Sequence, residues 1–257
     1  MSSCLRNKVI LLTGAGGGLG SEMAKQFLEK GARLILTDLH KPEITHEMYR
    51  TKGTVVGVFA ANLETEEGCR EVYEHTRDFS RKIDILVNNA GVAAAGGLLD
   101  VPDEKWKQLL NINLYAPIYL SKLFLPDMLS AGSGQIVNIS SIAGHVVHQD
   151  LTYYSISKFG LRAFGEGLHA EYGKKGIKVT NVYPFFTRTK ILDSVQFSDN
   201  QKKLPDFMID EPESVVKEIV AGIEEGKLHV FTGFRAKGTK FLKEFMPDIL
   251  ENVNKFL

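Results

Sequence analysis

Short runs of β-branched and aliphatic residues alternate with longer amphipathic stretches along most of the chain. Runs of this length, bounded by glycine or polar residues, predict buried strands, and the stretches between them have the spacing of helices. The predicted strands are residues 8–14, 32–38, 54–60, 84–90, 134–140, 177–183 and 228–233. The predicted helices are residues 21–30, 65–80, 103–114, 114–130, 152–175 and 211–226. Strands that alternate with helices predict an α/β fold: a doubly wound, seven-stranded parallel sheet with helices on both faces.

Two segments interrupt this alternation. Residues 185–211 form a long connection after the sixth predicted strand, and long connections are usually lids, binding loops or disordered segments. Residues 234–257 continue past the last predicted strand and carry apolar side chains along one helical stripe. This tail is predicted to pack on the core or on a neighbouring subunit, and the alternatives are a cap on the pocket or a membrane surface. No repeat or linker divides the sequence, so one domain over residues 1–257 is expected.

Composition narrows the class of partner. The chain has 257 residues with 31 basic and 31 acidic side chains, so no global positive field would attract nucleic acid. Its two cysteines, Cys4 and Cys69, are too few for a disulfide framework and lack the spacing of zinc or redox sites. No signal peptide is evident, and no apolar stretch reaches the roughly 20 residues that span a bilayer. A cytoplasmic protein without a transmembrane segment or a nucleic-acid partner is expected.

A glycine cluster, TGAGGGLG at residues 13–20, follows a buried strand and opens a helix. Glycines at such a place let the backbone approach a phosphate, and the amides of the helix N-terminus favour its negative charge. The cluster fits T-G-x-x-x-G-x-G, whereas neither G-x-G-x-x-G nor the P-loop pattern fits. It predicts a pyrophosphate cradle, and a tight strand-to-helix turn without a ligand is the alternative.

The acidic residue Asp38 ends the second predicted strand. A carboxylate there would accept hydrogen bonds from the ribose hydroxyls of NAD and would repel the 2′-phosphate of NADP. No lysine or arginine lies in the glycine cluster or directly after Asp38, although His40 and Lys41 are close. NAD is therefore the predicted cofactor and NADP the less favoured one. A turn or capping role for Asp38 is the alternative.

The sequence YYSISK at residues 153–158 contains two tyrosines and a lysine. Tyr154 and Lys158 share a helix face at i and i+4, whereas Tyr153 points elsewhere. A free tyrosine has a pKa near ~10, and a neighbouring cation would make it a better acid and base at neutral pH. For this motif taken alone, an aromatic on a packed face beside a solvated lysine is the alternative.

Two further motifs lie at predicted strand ends, where open α/β sheets bind ligands: NNAG at residues 88–91 and NISS at residues 138–141. With the glycine cluster and YxxxK, in this order, they resemble the short-chain dehydrogenase/reductase family over about residues 7–233. The resemblance implies a single Rossmann domain, a nicotinamide cofactor, no metal, and an alcohol or carbonyl substrate. It also implies a homodimer or homotetramer.

The resemblance assigns roles position by position. Tyr154 is the implied general acid/base, and Lys158 is implied to bind ribose and to lower the pKa of the tyrosine. Ser141, rather than Ser140, is implied to hold the substrate oxygen. Asn113 matches an asparagine that kinks a helix and holds a water of the proton relay, with a buried amide satisfied by backbone groups as the alternative. The implied cofactor contacts are Gly14, Gly18, Leu19, Gly20, Asp38, Leu39, Asn62, Leu63, Asn89, Ala90, Gly91, Tyr154, Lys158, Pro184, Thr187 and Thr189.

Two positions depart from the family pattern. Asn62 stands where the family often has an aspartate after the third strand, which keeps a hydrogen-bonding amide near adenine without the charge. Phe185 stands where the family usually has a glycine after Pro184, so the nicotinamide contacts that follow it are less secure.

The substrate pocket is expected to form from residues 92–97, 142–151 and 185–211. Small residues in the first segment and apolar residues in the third favour an apolar carbonyl or secondary alcohol. Side chains that merely cover the sheet are the alternative. His145 and His148 flank this pocket and are interpreted as pocket lining or surface rather than as metal ligands, because a third ligand is missing.

The leading hypothesis is an NAD(H)-dependent oxidoreductase that interconverts a secondary alcohol and a ketone. One alternative is an NADPH-dependent 3-oxoacyl thioester reductase, which Asp38 disfavours. The other alternative, from a different class, is a non-catalytic dinucleotide-sensing protein. It would predict loss of the tyrosine, lysine or serine, and these are all present.

Overall fold

The computed structural model describes residues 4–46, 48–189, 197 and 205–247. Within these ranges, seven parallel strands form one sheet in the order β3-β2-β1-β4-β5-β6-β7. The strands are β1 (Val9–Thr13), β2 (Arg33–Asp38), β3 (Thr54–Ala60), β4 (Ile85–Asn88), β5 (Gly134–Ile139), β6 (Ile177–Tyr183) and β7 (His229–Phe231). Each predicted strand is confirmed. The sequence indicates these strands because parallel strands that are buried on both faces require continuous apolar runs.

Helices cover both faces of the sheet. In the described ranges they are α1 (Gly18–Glu29), α2 (Glu66–Phe79), α3 (Asp103–Leu110), α4 (Ala116–Ser130), α5 (Thr152–Tyr172), α6 (Pro212–Glu225) and α7 (Gly233–Phe245). Phe27 of α1 and Ile219 of α6 lie in the core on one face, whereas Val72 of α2 and Phe124 of α4 lie in the core on the other. The predicted doubly wound Rossmann fold is confirmed.

The predicted helix over residues 103–114 is divided. Its first part, α3, ends at Leu110, and a π-helical turn over Asn111–Tyr115 leads directly into α4. A π turn carries one extra residue and often occurs at functional sites. This turn places Asn113 in the interior, with no exposed surface.

The described part of the predicted tail forms α7, which packs against α6 and β7. Ala236 is fully buried, whereas Phe234, Phe241 and Phe245 are exposed. The predicted stripe therefore only partly faces the core. Residues 248–257, which carry the rest of that stripe, lie outside the described residues.

The sheet topology determines where a ligand can bind. The chain passes from β1 outward to β3 and then returns to β4, which lies on the other side of β1. Ligands of open α/β sheets bind beyond the carboxyl ends of the strands at this reversal. No helix in the described ranges combines the length and the hydropathy that crossing a membrane requires.

Candidate active site

The glycine cluster forms a turn with very little space for side chains. Gly14 has a φ of +65°, which favours glycine. A Cβ atom on Gly20 would lie 1.9 Å from the carbonyl oxygen of Gly14, and one on Gly18 would lie 2.7 Å from Cγ2 of Thr189. This bare turn leads into the N-terminus of α1, so its geometry fits a bound pyrophosphate.

Asp38 is hydrogen-bonded to the glycine cluster. Its Oδ2 accepts a hydrogen bond from the amide of Gly16 at 2.9 Å, and its Oδ1 accepts one from the amide of Leu39 at 2.7 Å. A carboxylate has about four acceptor positions, so both oxygens keep capacity for ribose hydroxyls. Asp38 thus makes the backbone contacts expected of a residue that caps a turn. It also lines the cavity, as expected of a residue that binds the ribose of the cofactor.

The segment after β4 is tied to the same turn. Oγ1 of Thr13 accepts hydrogen bonds from the amides of Asn89 at 3.0 Å and Ala90 at 3.1 Å. The side-chain amide of Asn89 donates to the carbonyl oxygens of Thr13 at 3.0 Å and Gly14 at 2.9 Å. These bonds bring NNAG and the glycine cluster together, as the sequence motifs predict.

Three polar side chains meet at the end of β5 and the start of α5. The side chain of Ser141 lies near enough to Tyr154 to act on the pKa of the tyrosine. Nζ of Lys158 lies 5.6 Å from the centroid of the Tyr154 ring and donates to the carbonyl oxygen of Ile139 at 3.0 Å. Oγ of Ser141 accepts a hydrogen bond from the amide of Ala143 at 3.1 Å, which fixes the orientation of the serine.

Burial controls the titration of these groups. Desolvation raises the pKa of Tyr154 to about 12, and the Ser141 side chain acts in the opposite direction. Desolvation also lowers the pKa of Lys158 to about 8, which still leaves the group largely protonated at neutral pH. The sequence predicts that Lys158 lowers the pKa of the tyrosine, whereas here the loss of solvent around Tyr154 is the largest effect and raises it.

The other tyrosine of the motif is turned away, as predicted. The ring of Tyr153 stacks on Trp106 with centroids 5.5 Å apart, and its hydroxyl donates to the carbonyl oxygen of Leu98 at 3.0 Å.

Asn113 does not line the cavity but bonds residues next to it. Its Oδ1 accepts from the amide of Val92 at 2.9 Å, and its Nδ2 donates to the Val92 carbonyl oxygen at 2.8 Å and to Oγ of Ser157 at 3.2 Å. This geometry is that of the alternative interpretation, a buried amide satisfied largely by backbone groups.

One cavity of about 770 Å³ lies over these elements. Every site residue predicted from the sequence lines it, with the exception of Asn113. The lining also includes Glu64, Lys105 and Gln108, which are not among the predicted site residues. Lys105 and Gln108 are three residues apart on α3, so helical spacing is the signal that places both on one face.

One end of the cavity is apolar. Ala93 and Ala94 come from the segment after β4, and Phe185, Phe186 and Phe197 come from the long connection after β6. Of the other apolar residues predicted for that connection, Phe207 is exposed, while Ile191, Leu192, Val195 and Leu204 lie outside the described residues.

One prediction near this end is corrected. His148 lines the cavity, but His145 does not: it is buried beside Tyr183 and Phe231 and is neither pocket lining nor surface. Ser140, the last residue of the predicted strand, follows β5 directly and its amide still donates to the carbonyl oxygen of Val182 on β6 at 2.9 Å. The Ser140 hydroxyl donates to the carbonyl oxygen of Lys158 at 3.0 Å. Among the described residues, no three His, Cys, Asp or Glu side chains are grouped so as to hold a metal ion.

Comparison with known proteins identifies relatives over most of the chain. A sequence profile for the family described as short chain dehydrogenase matches residues 8–200, a range that contains every predicted site residue. Epidermal retinol dehydrogenase 2 from Homo sapiens is 34% identical over 246 residues, which are 93% of this chain and 78% of that protein.

Solved structures share the fold and its connectivity. A short-chain dehydrogenase from Sphingobium yanoikuyae in complex with NADPH is 26% identical, with a TM-score of 0.75 over 87% of each chain. The bulky-bulky ketone specific alcohol dehydrogenase from Comamonas testosteroni is 25% identical, with a TM-score of 0.76 over 95% of this chain and 94% of that one.

Proposed function

The chain belongs to the short-chain dehydrogenase/reductase family of oxidoreductases, and we propose that it interconverts a secondary alcohol and a ketone with NAD(H) as the hydride carrier. The observation that carries this proposal is the meeting of Ser141, Tyr154 and Lys158 at the wall of one cavity. A proton donor, a hydroxyl that can hold the reacting oxygen and a buried cation are the groups that such a reaction requires.

The protein's own residues hold the oxygen and move the proton. In the direction of reduction, the hydroxyl of Ser141 binds the carbonyl oxygen and the phenol of Tyr154 gives it a proton. The ammonium of Lys158 stabilises the phenolate that remains, because an opposite charge in a buried site favours the charged form. A bound nicotinamide cofactor supplies the hydride in this direction and accepts it in the other. With its pKa raised to about 12, Tyr154 is protonated at neutral pH and so carries the proton that reduction requires.

The preference for NAD(H) rests on Asp38. Its carboxylate faces the cavity and is held against the glycine cluster by the amide of Gly16 at 2.9 Å. A fixed negative charge at this place repels the 2′-phosphate of NADP and accepts hydrogen bonds from a free ribose.

The preference for an apolar substrate rests on the far end of the cavity. The charged residues that line the cavity in the described ranges are Asp38, Glu64, Lys105 and Lys158, and none of them comes from the segment after β4 or from the connection after β6. Phe185, with its neighbours on the long connection, gives the substrate side an apolar wall. The names of two relatives, a retinol dehydrogenase and a bulky-bulky ketone specific alcohol dehydrogenase, indicate alcohols or ketones that fit such a wall.

A panel of substrates tests both preferences. NADH and NADPH oxidation should be measured with bulky apolar ketones, with small polar ketones and with 3-oxoacyl thioesters. The expected result is turnover of bulky ketones with a higher kcat/KM for NADH. Turnover confined to thioesters with NADPH would contradict the proposal and support the thioester reductase. Tight NADH binding without turnover of any carbonyl would favour the dinucleotide-sensing alternative.

The family resemblance also carries the proposal of a homodimer or homotetramer. Size-exclusion chromatography with light scattering tests it, and a monomer mass of 28.5 kDa would contradict it.

A further inference from the structure

The turn that carries Ser141 is closed by hydrogen bonds. After β5, a short 3₁₀ turn runs over Ile142–Gly144, and the amides of Gly144 and His145 donate to the carbonyl oxygens of Ser141 at 2.9 Å and Ile142 at 2.8 Å. The amide of Ala143 donates to Oγ of Ser141 at 3.1 Å. The orientation of the serine hydroxyl therefore depends on the position of the whole turn, and His145 ends that turn.

The side chain of His145 does not line the cavity, and the residue is only 5% exposed. It packs edge-on against Phe231 at 5.2 Å, and its Nδ1 lies 2.8 Å from Nη1 of Arg162. A guanidinium only donates, so Nδ1 must be the acceptor and the proton must sit on Nε2. Burial and the nearby charge of Arg162 lower the pKa of His145 to about 4, so the ring is neutral.

Arg162 lies on the same helix as the catalytic tyrosine. Tyr154, Lys158 and Arg162 are spaced four residues apart on α5, so they share one face. The contact between Arg162 and His145 consequently joins the face that carries the proton donor to the turn that carries the substrate-binding serine. A second contact, from the Ser140 hydroxyl to the Lys158 carbonyl oxygen at 3.0 Å, joins the same two elements from the cavity side.

The geometry points to a positioning role: we propose that the Arg162–His145 hydrogen bond fixes the Ser141 turn against α5, so that the Ser141 hydroxyl keeps its place beside Tyr154 in the cavity wall. Neither His145 nor Arg162 touches the cavity, so both act through the turn. This inference rests on the proposed function for its effect on turnover, but its effect on the turn itself does not depend on the substrate.

Four variants distinguish the effect of the Arg162–His145 hydrogen bond from an effect on the overall stability of the protein. His145→Leu removes the acceptor, and His145→Asn keeps an acceptor oxygen near the position of Nδ1. Arg162→Met removes the donor. Glu166→Gln is the matched control, because it removes the 2.7 Å ion pair of Arg162 with Glu166 and leaves the bond to His145 intact.

Hydrogen exchange measured by mass spectrometry reports on the turn without any substrate. In His145→Leu and Arg162→Met, the peptide that covers residues 141–147 should exchange roughly tenfold faster, because a hydrogen bond to a charged group is lost. His145→Asn and Glu166→Gln should retain native exchange in this peptide. Native protection in His145→Leu and Arg162→Met would overturn the proposal, as would fast exchange in all four variants.

Kinetics give the second readout. The same two variants should lower kcat roughly tenfold or more, since a displaced catalytic group slows the chemical step, while the Kd for NADH stays native. His145→Asn should restore kcat. A loss of NADH binding in parallel with kcat would assign the pair a general structural role and overturn the proposal. If the native protein turns over none of the carbonyls, the proposed function fails and the exchange experiment still decides this inference.

Discussion

Replacing Gly20 with alanine places a methyl group against the backbone of the glycine cluster. The new Cβ would lie 1.9 Å from the carbonyl oxygen of Gly14, 2.8 Å from its carbonyl carbon and 3.0 Å from Cα of Ala15. Nonbonded heavy atoms are at rest at about 3.5–4.0 Å, so the two segments must separate by more than an ångström. All three neighbours are backbone atoms, and a change of rotamer cannot relieve the overlap.

The size of the effect follows from two opposing contributions. Overpacking costs about 1–3 kcal/mol, and alanine in a helix regains about 0.5–1 kcal/mol relative to glycine. A shift of about 1 Å in a binding element costs on the order of 10²-fold in function. Gly20→Ala should therefore raise the Kd for NADH roughly 100-fold with a smaller loss of stability.

The assay is a fluorescence titration with NADH, combined with urea denaturation. Gly167→Ala is the matched control, because Gly167 lies in α5 and, apart from its chain neighbours and the backbone of its own helix, no atom lies within 4 Å of the position that a Cβ would take. This control should bind NADH normally and should gain about 0.5–1 kcal/mol of stability. Native affinity in Gly20→Ala would refute the assignment of the cluster as a close-approach cradle.

Three further predictions concern charge and burial. Asp38→Asn keeps an acceptor for the Gly16 amide and should shift the cofactor selectivity towards NADPH, because a like charge in contact with the 2′-phosphate costs about 1–4 kcal/mol. The selectivity is the ratio of the kcat/KM values for NADH and NADPH. An unchanged ratio would count against Asp38 as the residue that discriminates between the two cofactors. Burial lowers the pKa of Lys158 to about 8, below its unfolded value of 10.5, so between these pH values the unfolded state binds more protons. The free energy of unfolding of the native protein should then rise relative to Lys158→Met by about 1.4 kcal/mol per pH unit in that window, and a constant difference in urea denaturation would contradict this. Asn113→Leu leaves the amide and carbonyl of Val92 unpaired and should cost about 1–3 kcal/mol for each group, whereas native stability in urea would show that the two groups find other partners.

The sequence predicts much of this architecture because the relevant signals are local. Buried parallel strands require apolar runs, and the glycine cluster and YxxxK place backbone and side chains by their spacing within one turn or helix. The π turn at Asn113 is indicated only by the family resemblance, and the bond of Asn113 to Val92 forms only in the folded chain.

Other features depend on tertiary contacts for the same reason. The pairing of His145 with Arg162 arises from the packing of the serine turn on α5, and no periodicity in the sequence indicates it. The raised pKa of Tyr154 depends on the depth of burial, which a motif does not encode.

The central claim is that Tyr154 is the proton donor, and a single-turnover measurement of hydride transfer from NADH tests it most directly. Tyr154→Phe should slow this step by about 10²–10⁴-fold and leave the Kd for NADH unchanged. Tyr153→Phe is the neighbouring control and should retain the native rate, because its hydroxyl bonds only the carbonyl oxygen of Leu98 among the described residues. A native rate in Tyr154→Phe would contradict the account.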